Sequence, residues 1–263
     1  MSTRKIAVVT GASSGIGAVY ADRLAARGYD LVLVARRLDK LEALAAELAA
    51  KHGVDVRPLQ ADLAKEADIA HVESVLETNK AVAVLVNNAG FARFESVAEN
   101  SAQGSIDQIT LNITALTRLT HAVLPGLLAR NEGAIINIGS VLGVHSLPNT
   151  AVYSGSKAYV LQFTRGLQAE VADTGVKVQL VSPATTATEI WGNAGIPISS
   201  LNPETVMTTE HMVDASLAGL DQGETLTWPS LADASLWDAY DAARGALFAG
   251  TRTGQPAPRY GLE

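Results

Sequence analysis

The sequence predicts a single α/β domain in which about seven parallel strands form one doubly wound sheet with helices on both faces. Short apolar runs alternate with longer segments whose apolar residues recur at helical spacing, which is typical of repeated βαβ units. A glycine-rich stretch at residues 11–17 directly follows the first apolar run and precedes a helical pattern. Such a turn between the first strand and the first helix is typical of these sheets and of their ligand sites.

Each predicted element has its own local signal. The predicted strands are short and rich in Val, Ile and Leu, as expected for strands buried on both faces, and they lie at 6–10, 30–35, 54–60, 82–87, 134–139, 177–182 and 225–228. The predicted helices lie at 16–27, 38–51, 67–79, 105–130 and 151–173. The second helix is the clearest, because Leu41, Leu44 and Leu48 form one stripe while Asp39 and Glu42 lie outside it.

Composition narrows the classes of function. The chain has 263 residues, of which 48% are hydrophobic, and a net charge of −7. No segment reaches the ~18 consecutive apolar residues of a membrane helix, so we expect a soluble, cytoplasmic protein without a membrane partner. No basic cluster extends beyond Arg36-Arg37, which argues against nucleic acid. The absence of cysteine excludes thiolate chemistry, and the five scattered histidines lack metal-ligand spacing. We therefore expect a small-molecule substrate and no metal.

The predicted domain spans residues 1–263 and has three functional parts. Residues 1–190 contain all the recognisable motifs and should bind the cofactor and carry the catalysis. Gly, Pro, Ser, Asn and Thr become frequent through 192–209, which predicts a flap over the substrate within 191–222. Residues 223–263 should form a C-terminal strand and helix.

The glycine-rich turn predicts a dinucleotide site. Gly11, Gly15 and Gly17 permit a tight turn and let the helix N-terminus approach a pyrophosphate. The second strand ends in Ala35, where a carboxylate would favour NAD(H), and Arg36 and Arg37 follow it. Arginine donors can pair with a 2′-phosphate, so the sequence favours NADP(H). Arg36 is the better candidate for this contact, because Arg37 could be a solvated charge before the next helix.

Three polar residues downstream indicate acid–base chemistry. Tyr153 and Lys157 are four residues apart and so share one face of a helix. Ser140 follows the fifth predicted strand and could reach the same pocket. A Tyr-x-x-x-Lys spacing alone is weak, because it also occurs on ordinary solvated helix faces. Its significance comes from the other motifs in the chain.

Taken together, these motifs resemble the classical short-chain dehydrogenase/reductase family. The resemblance rests on six features in the family's order: Thr10-Gly-x-x-x-Gly-x-Gly17, Asn87-Asn88-Ala89-Gly90, Asn112, Ser140, Tyr153-x-x-x-Lys157 and Pro183-Ala184-x-x-x-Thr188. The resemblance implies the family's Rossmann-type fold. It also implies that Tyr153 is the general acid/base, assisted by Lys157, Ser140 and Asn112. Lys157 would lower the pKa of Tyr153 and bind the nicotinamide ribose, and Asn112 would support a water link to solvent.

The same resemblance assigns further contacts along the cleft. The implied cofactor residues are Gly11, Ser13, Ser14, Gly15, Ile16, Gly17, Arg36, Arg37, Asp62, Leu63, Asn88, Ala89, Gly90, Tyr153, Lys157, Pro183 and Thr188. Alanine at position 184 replaces the family's usual glycine and leaves the local backbone in question. For the substrate we expect contacts from Ser140, Tyr153, His145 and Trp191, with Met207 and Met212 as further candidates.

The predicted function is an NADP(H)-dependent oxidoreductase that interconverts a small-molecule ketone or aldehyde and its alcohol. Two alternatives keep the fold: a catalytically silent dinucleotide-binding sensor or regulator, and an NAD-preferring dehydrogenase. A sugar epimerase or dehydratase is disfavoured, because the chain lacks the longer C-terminal region of those relatives. The resemblance also implies a homotetramer, with a dimer next, assembled through the helices bearing Asn112 and Tyr153. Apolar residues on the first of these helices support this expectation, namely Leu111, Ala115, Leu116 and Leu119.

Overall fold

The computed structural model describes residues 4–262 and contains one parallel sheet, which confirms the predicted fold class. Its seven strands run in the order β3-β2-β1-β4-β5-β6-β7. They are β1 Ile6–Thr10, β2 Asp30–Ala35, β3 Val56–Gln60, β4 Val82–Asn87, β5 Gly133–Ile138, β6 Val176–Val181 and β7 Leu226–Thr227. The order reverses between β1 and β4, so a crevice opens at their carboxyl ends, where open α/β sheets bind ligands.

Helices cover both faces of the sheet. Along the described chain the helices are α1 Gly15–Ala26, α2 Leu38–His52, α3 Glu66–Thr78, α4 Ala102–Ile109, α5 Leu116–Arg130, α6 Ala151–Glu170, α7 Glu189–Asn193, α8 Thr209–Gln222 and α9 Ser235–Gly250. One buried cluster joins the sheet to α1, α2 and α8, and a second joins it to α3, α5 and α6. The inward side chains of these helices therefore close a core on each side.

The helix predicted at 105–130 is interrupted. It divides into α4 and α5, which are separated by a π-helix at Thr110–Ala115. Asn112 lies in this π-helix, where its side chain accepts from the Phe91 N–H and donates to the Phe91 carbonyl, both at 3.0 Å. A π-helical turn is frequent at functional sites. Sequence periodicity could not predict it, because the bonds that accompany it come from a distant loop.

A helix that the sequence analysis did not predict, α8, lies within the segment expected to form the flap. Thr208 caps this helix by accepting a hydrogen bond from the His211 N–H at 3.1 Å. Met212, predicted as a pocket residue, is fully buried in the core cluster on the α1 face. Ion pairs from Arg23 to Asp214 (2.7 Å) and from Arg27 to Asp221 (2.8 Å) bind α8 to α1. The irregular part of the predicted flap therefore ends before α8.

The chain divides into two compact units, of which the first ends at Pro229 and the second begins at Ser230. The second unit consists of α9 and a short turn at Pro258–Tyr260. No residue of α9 is buried, and Leu247 and Phe248 are among its exposed apolar side chains. Between residues 4 and 262, no helix has both the length and the apolar character needed to cross a membrane.

Candidate active site

A cleft of about 1030 Å³ lies at the carboxyl ends of the strands. It contains most of the residues that the sequence singled out: Gly11, Ser13, Ser14, Gly15, Ile16, Arg36, Arg37, Asp62, Leu63, Asn88, Ala89, Gly90, Ser140, Tyr153, Lys157, Pro183, Thr188 and Trp191. Parallel strands place the loops that follow them at one edge of the sheet. Residues far apart in the chain therefore meet here.

The glycine-rich turn is too tightly packed for side chains. A Cβ atom on Gly17 would lie 2.3 Å from the Gly11 carbonyl oxygen, and one on Gly11 would lie 2.8 Å from the Asn88 amide nitrogen. Gly11 also has a φ of +67°, which favours glycine. Asn88 fixes the turn by donating to the Thr10 carbonyl at 2.9 Å. Gly17 thus shapes the turn although it does not line the cleft.

The two arginines after β2 have different environments. Arg36 is exposed, and its guanidinium makes no hydrogen bond or ion pair with residues 4–262. Arg37 donates to Ser13 Oγ at 3.0 Å and Ser14 Oγ at 2.8 Å, and it pairs with Glu189 at 2.9 Å. Arg37 is therefore held in a network, unlike the solvated charge that the sequence suggested.

Glu189 begins helix α7 and lies directly over the N-terminus of α1. Its carboxylate accepts from Ser14 Oγ at 2.8 Å in addition to Arg37. Arg37, followed by Ser14, lowers the pKa of this carboxyl. A carboxylate from the chain itself thus occupies donors that the sequence predicted for phosphate oxygens. Sequence reasoning missed Glu189, although it directly follows the predicted cofactor residue Thr188.

Three further positions in the predicted motifs have defined local environments. Asp62 Oδ1 accepts from the Ala64 N–H at 3.2 Å, which leaves this carboxylate in a turn beside the cleft. Asn87 lies in the buried sheet and donates to Asn137 Oδ1 at 2.9 Å. The alanine at position 184 fits without strain, because it is not among the described non-glycine residues with positive φ.

Tyr153, Lys157 and Ser140 meet at the other end of the cleft. Tyr153 and Lys157 lie on one face of α6, and both side chains are 8% exposed. The Lys157 Nζ donates to the Ile138 carbonyl at 2.8 Å and lies 5.7 Å from the centre of the Tyr153 ring. Ser140 interacts with the phenol and acts to lower the pKa of Tyr153. The phenol, the serine hydroxyl and the ammonium are thus brought together by β5, the loop after it and α6.

Burial governs the ionisation of this pair. It raises the pKa of Tyr153 to about 12, partly opposed by the interaction with Ser140. It also lowers the pKa of Lys157 to about 8, because the ammonium loses hydration. The sequence argument expected the cation to lower the pKa of the phenol. In this structure the phenol shifts the other way, since its own desolvation is the largest effect.

Asn112 lies behind this group rather than in the cleft. Besides its two bonds to Phe91, its side-chain Nδ2 donates to Ser156 Oγ at 3.1 Å. Ser156 directly precedes Lys157 on α6, so Asn112 joins the loop after β4 to the helix that carries the lysine. Both the amide nitrogen and the amide oxygen of this buried side chain therefore have partners.

The substrate end of the cleft differs in part from the prediction. Trp191 lines it, and its Nε1 donates to the Thr186 carbonyl at 2.9 Å. His145 is exposed and lies outside the lining, because its loop turns that side chain to solvent. Sequence reasoning missed several apolar lining residues, namely Phe91, Phe94, Leu111, Val141, Leu142, Leu147 and Ile190. The available signal was position, since two of the chain's four phenylalanines lie within the four residues after Gly90.

No group of three or more His, Asp or Glu that could hold a metal ion occurs in the described part of the chain. The cleft chemistry available from these residues is hydrogen bonding, proton transfer and anion binding. The hydroxyl and guanidinium donors lie at the first end of the cleft, and the apolar side chains with the Ser140 and Tyr153 hydroxyls lie at the second.

Comparison with known proteins identifies the family. Residues 5–198 match the family described as short chain dehydrogenase. The chain belongs to this family of oxidoreductases. It is 38% identical over 206 residues to a very-long-chain 3-oxoacyl-CoA reductase of Anas platyrhynchos, and the match covers 76% of this chain. The chain spans 65% of that reductase, so the relative has a substantial part with no counterpart in the match.

Two solved structures resemble almost the whole chain. A short-chain dehydrogenase from Sphingobium yanoikuyae in complex with NADPH is 48% identical, with a TM-score of 0.94, and the match covers 97% of this chain and all of the other. A bulky-bulky ketone specific alcohol dehydrogenase from Comamonas testosteroni is 37% identical, with a TM-score of 0.90, covering 98% and 99%. Both are members of the family with the same overall fold.

Proposed function

We propose that this protein is an NADP(H)-dependent oxidoreductase that interconverts a ketone with two bulky substituents and the corresponding secondary alcohol. One observation carries the proposal: the glycine-rich turn and the Ser140, Tyr153 and Lys157 group line the same cleft. Neither feature alone indicates a hydride-transfer enzyme. A dinucleotide spanning the cleft would connect them.

The first end of the cleft fits the phosphates of a dinucleotide. Gly11 and Gly17 have no room for side chains, so the turn stays tight and holds the N-terminus of α1 at the cleft. Ser14 is the N-cap of α1 but makes no side-chain capping bond, and helix N–H groups in the first turn have no intrahelical acceptor. Arg36 and Arg37 add cationic donors suited to a 2′-phosphate. NADP(H) is the better fit because no carboxylate stands at Ala35.

The second end fits the reacting carbonyl. NADPH, when bound, supplies the hydride for the carbonyl carbon. Ser140 donates a hydrogen bond to the carbonyl oxygen, and Tyr153 holds the proton that this oxygen takes as it becomes a hydroxyl. A pKa of about 12 keeps the phenol protonated at neutral pH. The charged form of Lys157 then stabilises the phenolate left behind, until solvent restores the proton.

The apolar lining supports a bulky ketone. Aromatic side chains at Phe91, Phe94 and Trp191 and aliphatic ones at Val141 and Leu142 surround the polar group. A small ketone would leave much of this wall in contact with water, whereas a larger one would bury it. The relative from Comamonas testosteroni is a bulky-bulky ketone specific alcohol dehydrogenase, which supports the same substrate class.

An NADPH-oxidation assay tests the proposal. Purified protein should oxidise NADPH with ketones bulky on both sides, and more slowly with a methyl ketone of small size. Replacing Tyr153 with Phe keeps the ring and removes the proton, so turnover should fall ~10²-fold or more while NADPH affinity is retained. Binding of NADPH without turnover of any carbonyl would favour the sensor alternative. Near-normal turnover in Tyr153→Phe would contradict the assigned acid.

A further inference from the structure

Three aromatic rings from different elements meet beside the reacting phenol. The centroid of the Phe94 ring lies 5.6 Å from that of Tyr153, with the planes at 82°, and 5.7 Å from that of Trp191, with the planes at 35°. Phe94 belongs to the loop after β4, Tyr153 to α6 and Trp191 to α7. All three line the same cleft.

Both neighbours of Phe94 are held in place by polar groups. Trp191 donates a hydrogen bond from its ring nitrogen to the Thr186 carbonyl, and Tyr153 is buried beside Ser140. Phe94 itself is only partly buried, so ring surface remains open to the cleft. Its orientation is thus set by packing against two fixed rings.

The apolar side chains next to Ser140 are aliphatic rather than aromatic. Val141 and Leu142 follow this serine directly, and Leu147 adds a half-exposed aliphatic side chain from the same loop. The cleft therefore has two kinds of apolar wall around the Ser140 and Tyr153 hydroxyls. One wall is aromatic and the other is aliphatic.

From this arrangement we propose that Phe94 and Trp191 form an aromatic subsite that selects ketones with an aromatic ring on one substituent. The inference rests on the proposed function and names the substrate class for the same site. Aromatic rings gain from edge-to-face or offset contacts at centroid distances of about 4.5–7 Å, beyond the burial of their area. A saturated ring of similar size gains the burial alone, so the subsite distinguishes the two.

A matched pair of ketones tests the subsite. One carries a benzyl group and the other a cyclohexylmethyl group, with the second substituent identical; the methylene prevents the phenyl ring from conjugating with the carbonyl. The wild type should show a kcat/KM that is roughly 2- to 12-fold higher for the benzyl ketone. Phe94→Leu should bring this ratio close to one. Leu142→Ala should lower both kcat/KM values together and leave their ratio unchanged.

Trp191→Leu supplies an independent variant if Phe94→Leu fails to fold, as judged by circular dichroism and NADPH binding. It should also lower the ratio. One result would be that the wild type, Phe94→Leu and Trp191→Leu all turn over both ketones with the same benzyl to cyclohexylmethyl ratio of kcat/KM. That result would overturn the subsite while leaving the proposed function intact. Failure of the wild type to turn over either ketone, or any other carbonyl, would instead overturn the proposed function and the subsite with it.

Discussion

At the residue scale, the two arginines after β2 differ in whether they already have partners within the chain. Arg37 is committed to Ser13, Ser14 and Glu189, whereas Arg36 is exposed and has no partner among the described residues. Arg36 is therefore the better placed to meet an added 2′-phosphate without breaking an existing bond. This difference is visible only in three dimensions, since both arginines follow the same strand.

Replacing Arg36 tests the cofactor preference. Arg36→Ala should weaken NADPH binding by ~10-fold, the lower end of the effect of a charge-assisted hydrogen bond because the side chain is exposed, and leave NADH binding unchanged. Ala35→Asp should go further and reverse the preference, since a carboxylate repels the phosphate and accepts from the NAD ribose. Fluorescence titrations with both dinucleotides measure these affinities. Two results would show that Arg36 does not bind the 2′-phosphate: a wild type that prefers NADH, or an Arg36→Ala variant with unchanged NADPH affinity.

Lys157 predicts the pH dependence of the reduction. Burial lowers its pKa to about 8, so the ammonium is present below that pH and is lost above it. The kcat/KM for ketone reduction reports the free enzyme, and it should be level below about pH 7 and fall above about pH 8. Ionisation of Tyr153 causes no further change in kcat/KM in this pH range, because its pKa is raised to about 12.

The Lys157→Arg variant is the matched control for this profile. Arginine stays protonated throughout, so any residual activity of the variant should show no fall near pH 8. The reverse oxidation needs the phenolate, and its rate should rise with pH by up to tenfold for each pH unit. A wild-type reduction profile that remains level to pH 10 would contradict the assignment.

At the scale of elements, one carboxylate on α7 connects this helix to the N-terminus of α1. Glu189 bonds to Ser14 and Arg37, the same donors that cofactor phosphates would use. Glu189→Gln should therefore tighten NADPH binding by about 1.4- to 5-fold, the range of a partly exposed ion pair. Glu204→Gln, an exposed carboxyl elsewhere on the irregular segment, is the control and should have no effect. Equal dissociation constants for wild type and Glu189→Gln would refute competition at these donors.

At the scale of the whole molecule, the expected assembly depends on different residues from those chosen in the sequence. Ala115, Leu116 and Leu119 are buried within the chain itself and are not available to a partner. The exposed apolar residues on α4 and α6 include Ile109, which is 41% exposed, and Tyr159, which stacks on Phe163 at 5.7 Å. The predicted interface is now assigned to these exposed side chains. The expected assembly is still a homotetramer, with a dimer as the second choice.

Sedimentation equilibrium at micromolar concentration measures this assembly. The wild type should sediment as a tetramer or dimer, and Ile109→Asp should shift it to smaller species by placing a charge in the contact. Ile198→Asp, on an exposed turn of the irregular segment, should leave the mass unchanged. A monomeric wild type would rule out the predicted assembly.

The sequence by itself determined the sheet and predicted part of the cleft lining, including Ser140, Tyr153 and Lys157. The bounds of β1, β2 and β4 agree with their apolar runs, because a strand buried on both faces needs a continuous hydrophobic segment. The glycine turn and the Tyr153 to Lys157 spacing were also readable, since both depend on local geometry. Parallel strand order then brings the residues at strand ends to one edge without further information.

Only the tertiary structure decided the features that depend on contacts between distant segments. The π-helix at Asn112 accompanies bonds to Phe91, and α8 depends on packing against α1 and on its ion pairs with Arg23 and Arg27. The raised pKa of Tyr153 and the outward position of His145 likewise depend on burial, which local spacing does not encode. Phe94 joins Tyr153 and Trp191 for the same reason: the three rings come from separate loops and helices that only the folded sheet brings together.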